Sequence, residues 1–332
     1  MGTSLGLEGQ RFVYAKNYVR LAKGKKCRAF VVFAGAQLNS SFNQRPSLSI
    51  HIIVFEPPYD AGSTAPYINK VYATIPSIIF HHLPTITLPP SIISSCQIPE
   101  TLTFEVLLLN NPNLHQALVS ISNNYTIFAF IADFFCYAAQ SVTVKFNFPT
   151  YEFFTSGAGC LSLMLCFPTI HKNTTKSFKD MDNLLHIPGI PPMPAKDMPQ
   201  PFLERDDNVY QYFLDATIQL PRSAGIIVNT FESLEPRALK AMTDGLGAPD
   251  GPLPPLPSLY CIGPLVASDN RGGSSHGGGG VDKQVRELMN SEEGDSVRKQ
   301  TKAMKNEAKA ALNKGGSSCV ALFKLFESWK LK

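Results

Sequence analysis

The sequence predicts an α/β protein in which short strands alternate with helices to build a mostly parallel sheet. One observation is the stretch from Tyr125 to Leu161, which reads strand, helix, strand, helix. A second is that similar runs, too short for helices and rich in β-formers, recur on both sides of it. The third is composition: 44% hydrophobic and 17% charged residues over 332 positions is enough apolar material for a sizeable core.

Within the central stretch, Ile127–Ala132 is an apolar run that stops at Asp133, and Phe134–Lys145 continues as a helical pattern. Phe148–Phe154 is a second run, closed by Thr155-Ser156-Gly157, a group suited to cap the next helix. Ligands of a parallel sheet sit just beyond the carboxyl ends of its strands, so Asp133 and Thr155-Ser156 mark the candidate site. Asp133 has two readings, a helix N-cap and an orienting carboxylate in an active site. Gly157–Phe167 is apolar throughout and reads as a buried helix. Its SGAGCLS lacks the third glycine of a dinucleotide fingerprint, with Ser162 in that place.

Upstream, Arg28–Phe33 offers a first strand with Ala34-Gly35 as its turn, leaving little chain for a helix before Pro46. Leu48–Phe55 and Ile78–His82 are strands, and Thr101–Asn110 and Pro112–Ser122 are helices, with Pro112 placed to start the second. Downstream, Thr169–Pro201 is a proline-punctuated loop. Asp206–Gln219 is a helix with Tyr210, Phe213 and Leu214 on one face, Gly225–Asn229 a strand, Leu234–Thr243 a helix and Leu259–Ile262 a final strand. Ala267–Gly280 is a glycine-rich linker with no P-loop signature. Two closing helices follow. The first carries Val297, Thr301, Met304, Ala308 and Leu312 as a weak apolar stripe, and the second, capped by Ser317-Ser318, puts Val320, Phe323, Phe326 and Trp329 on one face. The expected organisation is an atypical segment 1–45, an α/β domain 46–266, a linker 267–281 and helices 282–332.

Composition also excludes classes. A net charge of +4, scattered or in a mixed-sign tail, leaves no nucleic-acid footprint. Seven irregularly spaced cysteines with no CxxC pair point to reduced thiols and a cytoplasmic setting. No run of 18 apolar residues occurs, so no integral membrane segment is expected. His81, His82 and His115 lack the spacing of a metal motif, so no metal is expected.

The stretches IADFFCYAA and FPTYEFFTSGAG, together with PPYDAGSTAPYI, FHHLPTI, LLLNNPNLHQAL, GIIVNTFESLEPRAL and YCIGPL, resemble the plant UDP-dependent glycosyltransferases of flavonoids and other phenolics. The resemblance covers about residues 46–268 and 283–330. It implies a Rossmann-like N-terminal domain of a GT-B fold plus closing helices that cross back onto it. It implies transfer of glucose from UDP-glucose, as donor substrate, to a hydroxyl of a small phenolic acceptor, with no further cofactor. By the same resemblance Asp133 orients a general-base histidine, Thr155 meets the donor sugar and Phe135 walls the acceptor pocket, with Ser156 beside Thr155 counted among the substrate-binding residues. His115 reads either as lining that pocket or as a surface residue.

The sequence departs from the family in two places. No histidine precedes His51, which sits inside a strand pattern and reads as a sheet-face residue. After the linker, the donor-gripping signature of the family is not found. Loss of a general base alone costs about a hundred- to ten-thousand-fold in rate. The expectation is therefore a family member inactive in transfer. Its alternatives are a non-catalytic phenolic binder, a partner of a full-length relative, and an unstable truncated product.

Overall fold

Runs dense in Ile, Val and Phe become strands here because branched side chains suit a pleated, half-buried surface. The computed structural model describes residues 28–36, 48–55, 65–74, 78–95, 99–245, 256–265 and 291–329. Its main strands are β1 (Arg28–Ala36), β2 (Leu48–Phe55), β3 (Ile78–His82), β4 (Tyr125–Asp133) and β5 (Thr150–Phe154). The short β6 (Leu184–Leu185) and β7 (Met193–Pro194) pair apart, inside the proline-rich stretch, and β8 (Gly225–Val228) and β9 (Ser258–Cys261) complete the set. The seven-stranded sheet has the order β3-β2-β1-β4-β5-β8-β9.

The pairings β2–β3, β4–β5, β5–β8 and β8–β9 are parallel, as expected. β1 is not: it runs antiparallel to both β2 and β4. Chain length gives the reason. Only positions 37–47 separate β1 from β2, and a parallel crossover needs about a dozen residues or more. Ala34-Gly35, expected as a turn, stays in the strand. The register against β4 jumps there instead, from Phe33↔Ala129 to Ala34↔Ile127, a bulge that leaves Phe128 without an opposite residue. Reversal has a consequence for position. Arg28 lies opposite Phe55 and Ala36 opposite Tyr125, so the chain leaves β1 where the parallel strands begin.

Helices cover both faces of the sheet. On one face Ile50, Ile52, Val54, Phe80, Ile131 and Phe153 pack against Ile68 and Val71 of the helix Ala65–Thr74. The last helix, Ser317–Ser328, packs onto the same layer through Leu322, Leu325, Phe326 and the adjoining Trp329. The other face holds Ile53, Phe55 and Phe130 under Leu114, Leu118 and Ile121, and Phe154 and Val228 under the helix Ala158–Asn173. That helix runs on past Phe167 with Pro168 inside it. Burial of Leu161, Met164, Leu165 and Phe167 outweighs the roughly 3 kcal/mol that an interior proline costs. The expected helix over Phe134–Lys145 is instead broken: a 3-10 stretch Phe134–Ala139, one α turn Gln140–Thr143, then 3-10 again over Val144–Phe146. Aromatic residues packed on both sides of Phe134–Ala139 favour this tighter winding.

The closing helix docks on a face rotated from the expected one, keeping Phe326 and Trp329 of it. Val320 and Phe323 are exposed, and Leu322, Leu325, Phe326 and Trp329 are buried. Ser318 sets the rotation: its hydroxyl donates to the Gly263 carbonyl at 2.6 Å rather than capping its own helix, whose cap position is Gly316. The Ser328 and Tyr151 hydroxyls meet at 2.9 Å. The preceding helix, Glu292–Leu312, is capped by Ser291, which accepts from the Gly294 amide at 3.0 Å. It is mostly exposed, with Val297 in solvent and Ala311 buried. The expected linker Ala267–Gly280 lies outside the described residues. Among the described residues no helix is long and apolar enough to cross a membrane.

His51 is a sheet-interior residue, 1% exposed. Its Nδ1 lies 3.0 Å from His81 Nε2, its Nε2 lies 3.0 Å from the Ser49 hydroxyl, and Tyr125 meets its ring edge-on. Burial, with His81 beside it, pushes its pKa down to about 4, so its ring is neutral at pH 7; burial lowers that of His81 as well.

Trp329 is the single tryptophan of the chain, so its fluorescence reports this docking directly. Native emission should be blue-shifted and move to the red on unfolding. Trp329→Ala should cost about 3–5 kcal/mol in urea denaturation. Water-like emission from the native chain would contradict the docked helix.

Candidate functional site

The carboxyl ends of β4, β5, β8 and β9 form one edge of the sheet, and their exits are tied together. Asp133 ends β4 in extended backbone, φ −69° and ψ 147°, and is fully buried. Its Oδ1 accepts from the Phe135 amide at 3.1 Å, so it caps the 3-10 turn that follows. Phe135 is half-buried. Its ring lies 5.4 Å from Phe104 and 5.8 Å from Phe213, building one aromatic wall beside Asp133.

Thr155 follows β5 two residues after Phe153, which pairs with Asp133 in the parallel ladder. The structure thus brings Asp133, Phe135 and Thr155-Ser156 to the same edge. Thr155 is half-buried and Ser156 exposed. The expected capping of the next helix by this group is not what forms. The cap position is Gly157, with no side-chain cap of its own. A residue distant in sequence does the work instead: the Glu235 carboxylate accepts from the Ala158 amide at 2.7 Å and the Gly159 amide at 2.8 Å. It also accepts from the Thr230 hydroxyl at 2.5 Å. An acid at a helix N-terminus satisfies donors that the helix cannot and meets the positive end of its dipole. A Cβ on Gly157 would lie 2.5 Å from Glu235 Oε2, which explains the glycine.

Asn229, just past β8, completes the edge. Its Nδ2 donates to the Thr155 carbonyl at 3.1 Å and its Oδ1 accepts from the Leu265 amide at 2.7 Å. Neither Asn229 nor Glu235 stood out in the sequence, because each acts on a residue far along the chain. For Asn229 the position just past β8 was the available signal.

A second carboxylate lies beneath Asp133. Glu152 in β5 pairs with Ala132 and is 2% exposed. Gln140 donates to its Oε1 at 3.0 Å, and its Oε2 has no hydrogen-bond partner among the described residues. Burial, with the Asp133 charge adding to it, pushes its pKa up to about 8, so it holds a proton at neutral pH.

His115 is not brought to this edge. It lies on the helix Asn111–Ser122, its ring tilted against Phe146 at 5.2 Å, and lines a cleft with Pro112 and Lys145. Among the described residues no group of three or more His, Cys, Asp or Glu is arranged to hold a metal ion.

Comparison with known proteins gives the following. No protein-family model matches the chain. It is 44% identical over 226 residues to UDP-glycosyltransferase 88B1 of Stevia rebaudiana, covering 68% of this chain and 48% of that protein. It is 37% identical over 243 residues to an anthocyanidin 5,3-O-glucosyltransferase of a Rosa hybrid cultivar, covering 70% and 49%. The chain thus spans about half the length of the curated relatives it matches. Among solved structures, a Phytolacca americana glycosyltransferase holding UDP-2-fluoro-glucose and pterostilbene superposes with a TM-score of 0.55 at 26% identity, over 65% of this chain and 47% of that one.

Two measurements test the site. Glu235→Ala should cost about 1–3 kcal/mol in urea denaturation, since it strands the Ala158 and Gly159 amides; an unchanged midpoint would refute the cap. For Glu152 the folded state keeps a proton that the unfolded chain releases near pH 4.5. Stability should therefore fall as pH rises from about 4.5 to about 8, and Glu152→Gln should remove that part of the slope. Parallel stability–pH curves for the two proteins would rule out a protonated Glu152.

Proposed function

The chain belongs to the plant UDP-glycosyltransferases over the half of their length it matches, and we propose that it forms their acceptor half: a binder of flavonoids or related phenols that does not transfer glucose unaided. Phenol binding is supported by the aromatic wall at Phe135 beside Asp133, and by relatives whose names or bound ligands are phenolic. In this reading Phe135 contacts the acceptor, Asp133 and Thr155 keep the places that the resemblance assigns them, and UDP-glucose is the donor of the family reaction.

The observation that carries the inactive reading is the direction of β1. By the family resemblance the general-base histidine belongs on the turn just after the first strand, whereas here the backbone leaves β1 opposite Tyr125, eight residues along β4 from Asp133. At about 3.3 Å per residue that is roughly 26 Å from the carboxylate it would need. His51 offers no substitute, since its ring nitrogens face Ser49 and His81. Among the described residues one large sheet is present, and no second nucleotide-binding sheet accompanies it.

The test incubates the purified chain with UDP-glucose and a flavonoid panel. Mass spectrometry should find no glucoside, while equilibrium titration should show flavonoid binding that Phe135→Ala weakens about tenfold. A glucoside formed by the chain alone would overturn the inactive reading. A cooperatively folding chain that binds no flavonoid would overturn the acceptor half.

A further inference from the structure

One concavity of the fold lies away from the carboxyl edge. A cleft of about 810 Å³ opens at the amino-terminal ends of β5 and β8, bounded by Thr150, Ala224, the turn Tyr137–Val144 and the helix Asn208–Gln219. Its size falls in the range of small-molecule sites, roughly 300–1,000 Å³. It lies at the opposite edge of the sheet from Asp133, Phe135 and Thr155 and includes none of these three; Gln140, which holds Glu152, is the residue it has in common with the region beneath Asp133.

We propose that this cleft binds a neutral sugar ring, free or as the glycosyl part of a glycoside. Its lining offers Gln140, Gln219, Asp215 and Arg222, four planar polar groups whose donors and acceptors point in fixed directions. A ring hydroxyl both donates and accepts, which is what such a set can pair with. Tyr137 and Phe148 add aromatic surface for the apolar C–H face of the ring. The Tyr137 pKa is pushed up to about 12 by burial and by Asp215 and Glu105, so its hydroxyl keeps its proton and can donate.

The lining is organised before any ligand arrives. Gln140 Nε2 donates to Glu152 Oε1 at 3.0 Å and to the Gln219 carbonyl at 3.4 Å. Arg222 Nη1 donates to Gln219 Oε1 at 3.3 Å. Groups held in this way lose little freedom on binding. Charge argues for a neutral occupant, since the charged side chains of the lining are Asp215 and Arg222, one of each sign. A phosphorylated ligand would meet Asp215, with Glu105 nearby. A purely apolar one would bury these polar groups without partners.

This site does not depend on acceptor binding at the other edge. Saturation-transfer NMR and titration on the full chain with methyl β-glucoside, phenyl β-glucoside and glucose 6-phosphate test it. Methyl β-glucoside should bind saturably with a Kd of about 1 mM. Asp215→Ala and Arg222→Ala, both exposed positions, should each weaken it about tenfold with an unchanged melting temperature. Flavonoid binding should be unaffected by either change. Tighter binding of the phenyl glucoside would identify a glycoside as the occupant, and equal binding a free sugar. No saturable binding at sugar concentrations on the order of tens of mM, binding undiminished in both variants, or preference for the phosphate would overturn the proposal.

Discussion

The hydrogen-bond ladder on the two sides of β1 holds the sheet together. Without it, β2 and β3 would stand apart from β4, β5, β8 and β9. The layer in which Ile50 and Ile52 meet Ala129 and Ile131 would then be split. Backbone groups demand partners but accept either strand direction, and antiparallel pairing is if anything the better of the two per residue. Chemistry at a sheet edge is not so tolerant. Reversing one strand exchanges the edges at which its flanking loops emerge, so β1 serves the core fully while placing its exit at the edge away from Asp133.

At the carboxyl edge three acids share a small region and are accommodated in three ways. Asp133 accepts a backbone amide, Glu235 sits on the start of a helix, and Glu152 is accommodated by a proton. Each arrangement relieves by a different route the cost of withdrawing a carboxylate from water, fully for Asp133 and Glu152 and partly for Glu235. The same contacts make the edge stiff. Asn229 joins the exit of β5 to Leu265, and Glu235 joins the start of Ala158–Asn173 to the segment after β8. A phenol binding there would meet a surface already held in shape by polar contacts between distant segments.

Most strands were legible in the sequence because Ile, Val and Phe concentrate where both sheet faces are covered. Leu48–Phe55, Ile78–His82 and Gly225–Val228 match their apolar runs to within a residue. The direction of β1 was not, since a run such as Arg28–Ala36 has no polarity in its pattern; only the short connection to Leu48 carried the information. The closing helix fell between these cases. Its existence follows from composition, but which stripe it buries is decided by Ser318 on the Gly263 carbonyl, a contact 55 residues long in sequence. At the site, Asp133 and Thr155 were found through their place at strand ends, and Phe135 only through the family resemblance. Glu235 and Asn229 act across 77 and 74 residues, and their partners cannot be read from the sequence around them.

The docked last helix also places a condition on synthesis. The sheet face that includes Phe153 is finished by Leu322, Leu325, Phe326 and Trp329, which are made much later. At 5–20 residues per second, that face waits roughly 3–14 s after β9, the last of its strands, has been made. During this interval an apolar layer stands open beside an emerging chain. Yield in a cell would then depend as much on what shields that layer in those seconds as on the stability of the finished fold.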